Sequence, residues 1–127
     1  MCNFCEVCDL LFESHGEGRD GPLTTLNELF DKHLKKWQPD LHPSPKLTKE
    51  NVTVSYVELE KRMLIQLPHQ TTTSKPRQEP YPPRPVVVVH YRGRNCLIDG
   101  RRRINVWKRT GETGVYPVYL LTVGTSL

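Results

Sequence analysis

The chain has 127 residues, enough for one domain with a modest core, and its 36% hydrophobic content is low for a compact globule. Eighteen lysines and arginines against fourteen acids give a formal charge of +4, a mild tilt towards anionic partners. No apolar run approaches about 18 residues and no basic-apolar-small leader opens the chain, so the expectation is a cytoplasmic protein without a membrane span, its cysteines reduced.

In chain order, Cys2, Cys5 and Cys8 come first, spaced C-x2-C-x2-C, with Asp9, His15 and the distant Cys96 as fourth-ligand candidates for zinc or an iron–sulfur cluster. The set is incomplete. Structural zinc sites pair two short-spaced ligands with two more, and a ferredoxin-type run needs another cysteine just downstream. On a helix Cys5, Cys8, Leu11 and Phe12 would instead line one apolar face, so core or surface thiols are expected and no zinc or other metal. His15 to Gly21 reads as a flexible polar loop.

Thr25 and Glu28 have capping-box spacing, and Leu26, Leu29, Phe30, His33, Leu34 and Trp37 recur at helical steps. This predicts an amphipathic helix over 25–37, ending before Pro39, inside an N-terminal extension spanning residues 1–48. Its apolar stripe serves packing or a protein partner, and His33 is expected as a core or boundary histidine. Residues 38–49, with Pro39, Pro43 and Pro45, read as a linker. A second unit is expected over 49–123. In it, 52–57 alternates as a strand, and a helical turn is expected before Leu67. Residues 69–85 are polar and proline-rich, a long loop in which Tyr81 to Pro85 suits a polyproline recognition segment or a rigid lead-in.

The segment from Val86 to Trp107 is the most informative. Four valines suit a pleated surface, Arg92-Gly93-Arg94 supplies a turn, and Cys96 to Ile98 gives the returning strand. Asp99 is a suitable N-cap for a helix that presents Ile104 and Trp107 on one face, and Gly111 sits where that helix stops. Such a strand-to-helix junction directs unsatisfied backbone N–H groups and the positive end of the helix dipole at one point, which suits an anion. Arg101, Arg102 and Arg103 reinforce it. Arg84, Arg92 and Arg94 are further anion or nucleic-acid contacts. Val115 to Val123 reads as the last strand, with Pro117 near an edge.

The run L-I-D-G-R-R-R-I-N-V-W-K-R-T-G, followed by a strand, resembles the signature of the ParB/sulfiredoxin-like superfamily, over about Val86 to Val123. The resemblance implies an α+β fold, a small mixed sheet whose strand–loop–helix junction cradles nucleotide phosphates, here with the amphipathic helix added N-terminally. It places Asp99, Gly100, Arg101, Arg102 and Arg103 at the phosphate site, with Arg103 at the family's most regular arginine, and implies a nucleoside triphosphate with magnesium. Members include CTP-dependent DNA-partitioning proteins, ATP-dependent sulfinic-acid reductases, small-molecule kinases and nucleases. The reductases' catalytic cysteine is replaced by Arg101, Cys96 lies outside that position, and the D-G-H-H-R form of some enzymes is absent.

Three functions follow as expectations. The first is a nucleotide- or phosphate-binding module that acts on, or is regulated by, nucleic acid or nucleotide. The second is a phosphoryl-transfer or nuclease enzyme with Asp99 as catalytic residue and Glu58 and Glu60 as helpers. The third is a small virus-encoded interaction or inhibitor protein that keeps the fold without its chemistry.

Overall fold

Val86, Val87, Val88 and Val89 are all fully buried. Successive strand side chains point to opposite faces, so four in a row are buried only when both faces of the sheet are covered. The computed structural model, which describes residues 6–11, 22–68 and 84–124, has that arrangement. The chain is α+β, with a small mixed four-stranded sheet and helices on both faces.

The strands are β1 (Val52–Glu60), β2 (Val86–Tyr91), β3 (Arg94–Asp99) and β4 (Val115–Val123), in the order β1-β4-β2-β3. β1 pairs antiparallel with β4, β4 parallel with β2, and β2 antiparallel with β3. On one face lie the helical segment 6–11 (α1) and helix α2 (Pro22–Trp37), which meet the sheet through Val7, Leu11, Leu26, Phe30, Leu34, Val87, Val89 and Leu121. On the other lie α3 (Lys61–Ile65) and α4 (Arg101–Thr110), packed through Leu64, Ile104, Trp107, Val86, Val88 and Val118.

Helix α2 opens at Pro22, three residues before the expected start, so Thr25 lies inside it and the capping-box spacing does not mark its beginning. Its buried stripe shares one core with the sheet, which makes it a layer of the fold. The stretch after it is strapped back onto the helix. Asn27 Oδ1 accepts from the Leu47 N–H at 2.7 Å and Nδ2 donates to the Leu47 carbonyl at 3.1 Å, while Asp31 Oδ1 is held by His42 Nε2 at 2.9 Å and Ser44 Oγ at 3.1 Å. A 3-10 turn, Pro39–Leu41, falls within this strap.

β1 continues three residues beyond its expected end before the helical turn of α3 begins. The β2–β3 turn takes positive φ at both central residues, Arg92 (49°) and Gly93 (77°). That is the handedness matching the strands' twist, and only the glycine was marked for it by sequence. β4 is an interior strand, not an edge. Pro117 is accommodated one residue before the β2 ladder starts at Val118. The segment 15–21, the residues 69–83 and the polyproline reading of Tyr81 to Pro83 lie outside the described residues.

Candidate anion-binding site

β3 ends at Asp99 and α4 starts at Arg101, so the residue at the N-cap is Gly100 and not Asp99. Gly100 is buried with φ 113°, a region that disfavours side chains, and a Cβ there would meet Val86 Cγ2 at 2.8 Å. The glycine is thus required by the turn and by close packing on β2. It lets the chain leave the edge strand and enter a helix lying across the sheet. The Ile104 N–H bonds the Gly100 carbonyl at 3.1 Å, and Gly100, at the N-cap, makes no side-chain cap bond. Its first turn contains no acidic residue.

The three arginines divide. Arg103 turns inward, its side chain 19% exposed. Its Nη1 donates to the Arg84 carbonyl and, at 3.1 Å, to Tyr116 Oη, and its Nη2 lies 3.5 Å from the Pro85 carbonyl and 4.0 Å from Asp99 Oδ2. Tyr116 in turn donates its hydroxyl to the Arg84 carbonyl at 2.9 Å. Arg103 therefore pins the entry of β2 to the start of α4, and Asp99, itself largely buried, sits beside its charge. Arg101 and Arg102 are exposed at the same helix end. The Arg101 carbonyl accepts from Asn105 Nδ2 at 2.8 Å, which braces the first turn from within.

The remaining predicted anion contacts are dispersed. Arg84 is next to the junction, but its Nη2 donates to the Leu10 carbonyl at 2.8 Å. Arg92 and Arg94 are at the hairpin tip, about 17 Å from Asp99 at the strand's rise per residue. Arg94 is engaged by Asp40 in a two-pronged ion pair at 2.7 and 2.8 Å, which pushes the guanidinium's pKa up and the carboxyl's down. Two-pronged geometry of this kind is the strong form of the pair.

Glu58 and Glu60 stand on β1 and Asp99 on β3, the two opposite edges of the sheet. Three strand spacings, about 14 Å, separate those edges, too far for one metal ion to bridge the carboxylates. Glu60 is also paired with Arg62. Among the described residues no group of three His, Cys, Asp or Glu side chains gathers. Cys2, Cys5 and His15 lie outside those residues. Cys8 is half-buried against the α2-side core, and Cys96 is buried in it, its thiol pushed up to about 11 by burial. His33 packs beneath α2 with Nε2 buried and unpartnered among the described residues; burial lowers its imidazole to about 4, opposed by a hydrogen bond to the Leu97 carbonyl.

Sequence reasoning passed over a cluster under the junction. Trp107 and Tyr116 stack with centroids 4.7 Å apart, Lys61 Nζ sits 5.0 Å over the indole while pairing with Glu112 at 2.8 Å, and Arg103 lies 5.7 Å over the phenol. The strand alternation that puts Tyr116 and Val118 on one face was the available signal. Among the described residues no helix is long and apolar enough to cross a membrane. Comparison with family models, curated proteins and solved structures finds no match, so the chemistry of this junction is the ground on which function is argued.

Proposed function

We propose that the β3–α4 junction binds the phosphate of a nucleotide, a nucleoside triphosphate with magnesium, and that the chain acts as a ligand-binding module of ParB-like type. The observation that carries this reading is the start of α4, with Gly100 at the N-cap, no acid in the first turn, and Arg101 and Arg102 exposed beside it. First-turn amides have no partner within a helix, so they and the helix dipole attract an anion, and guanidinium groups add charge-assisted hydrogen bonds in a geometry that fits phosphate. Arg103 has a supporting part: by holding Asp99, Tyr116 and the Arg84 carbonyl it fixes the turn that aims the amides. Gly100 allows the turn itself.

Among the described residues the enzymatic reading's own helpers, Glu58 and Glu60, are on the edge far from Asp99, and metal-assisted phosphoryl chemistry draws on more than one carboxylate. A thermal-shift series with the ribonucleoside triphosphates and pyrophosphate, each with and without magnesium, tests the proposal. A phosphate ligand that binds the folded state raises the melting temperature by mass action, and Arg102→Ala should remove most of that rise. A series with no shift for any of these anions would contradict it.

A further inference from the structure

Helix α4 reads R-R-R-I-N-V-W-K-R-T: five cationic residues and no acid in ten. Arg103 is taken up by the fold. Arg101, Arg102, Lys108 and Arg109 are all exposed. Seven residues bring an α-helix back to nearly the same side, so Arg101 with Lys108 and Arg102 with Arg109 form two exposed rows, each about 10.5 Å long, the second opposite the core and the first along its flank. The buried positions are Ile104, Trp107 and, between the two rows, Asn105, whose amide turns back to the Arg101 carbonyl.

Helix α2 shows what a merely solvated helix face looks like in the same molecule. Two of its three lysines are matched at i, i+4 by acids, Glu28 before Lys32 and Asp31 before Lys35. The Lys35 charge helps hold the Asp31 carboxyl down. No such matching occurs within α4.

The geometry points to the outer face of α4 as a docking surface for the phosphate backbone of a nucleic-acid duplex. A nucleic-acid strand presents a phosphate about every 3.4 Å of axis, so a 10.5 Å row of cations spans about three of them. A duplex fits better than a single strand, because single strands are held on exposed aromatic platforms and the one aromatic of α4, Trp107, is fully buried. Contact is to backbone, without sequence preference, since the face offers charge rather than side chains that read base edges. The surface shares Arg101 and Arg102 with the proposed nucleotide site, whereas Lys108 and Arg109 lie two turns beyond it and belong to this surface alone.

Fluorescence anisotropy of a short labelled DNA duplex, titrated with the full chain over a salt series, tests it. Four neutralised phosphates give a log–log salt slope near −3.6, and Lys108→Ala/Arg109→Ala should bring it to about −1.8. The same double variant should keep the wild-type affinity for pyrophosphate. Lys32→Ala/Lys35→Ala on α2 should leave the slope unchanged. The inference is overturned if the wild-type chain fails to bind duplex at about 50 mM salt, if the α4 double variant keeps the full slope, or if a single strand or polyglutamate binds as tightly as the duplex. Absence of pyrophosphate binding with an intact duplex slope would count against the nucleotide site alone and would leave this surface supported.

Discussion

Helices α2 and α4 cover opposite faces of one sheet, and each buries a stripe with a large aromatic at its centre, Phe30 in the first and Trp107 in the second. Their outer faces differ. On α2 the acids Glu28 and Asp31 offset Lys32 and Lys35; on α4 the charges are all positive, and a glycine stands at the N-cap. Inner faces built alike satisfy the same demand, which is to bury β2 from both sides. The outer faces answer to whatever each meets in solution, so the contrast between them is where function is legible.

The equality of the inner faces is open to the largest test. Phe30→Ala and Trp107→Ala should each lower stability by about 3–5 kcal/mol in denaturant unfolding, as truncation of a packed core aromatic does. A loss below about 1 kcal/mol for Phe30→Ala would make α2 an appendage and not a layer. Next, Gly100→Val should cost about 3 kcal/mol, because it combines a positive φ with a contact at 2.8 Å to Val86. A loss below about 1 kcal/mol would show that neither the turn nor the packing on Val86 requires the glycine.

Arg103→Ala should cost about 2 kcal/mol, since it strips partners from the largely buried Asp99 carboxylate and from the Arg84 carbonyl and Tyr116 hydroxyl. Arg102→Ala, one residue away and exposed, should change stability by less than about 0.5 kcal/mol. Equal effects of the two would erase the division of the arginines. A shift comparable to that of Arg103→Ala is expected in acid. The His33 imidazole lies at about 4 in the folded chain against 6.5 ordinarily, so the unfolded chain binds the proton more tightly. Its stabilisation is present above pH 6.5 and is lost as pH falls towards 4, by about 2 kcal/mol between pH 7 and pH 5. His33→Leu should flatten that limb, and amide exchange at pH 5 should rise on α2 before α4. Identical acid limbs for both proteins would rule His33 out as the cause.

Local rules made several elements readable from the chain alone. The four valines, the Arg92-Gly93 turn, the apolar steps of α2 and the Asp99-Gly100 entry to α4 each depend on neighbours within one turn or one strand. What escaped depends on distant partners. Arg103 looks like its two neighbours in sequence, and only folding brings it to Tyr116, 13 residues on, and to the Arg84 carbonyl, 19 residues back. Glu58 and Glu60 looked available to Asp99 until the strand order placed them on the opposite edge. The stripe of α2 was legible as a packing face, but not which strand it covers, since Val87 and Val89 are about 50 residues or more away in the chain.

The account's central claim is that Arg102 holds a phosphate while Arg103 holds the fold. Calorimetric titration of wild type and Arg102→Ala with pyrophosphate and with magnesium nucleoside triphosphates measures it directly, with melting temperature read on the same samples. The account predicts at least a roughly tenfold loss of affinity, the equivalent of about 1.4 kcal/mol, with melting unchanged. Indistinguishable affinities, or heat from none of these anions with the wild-type chain, would contradict it.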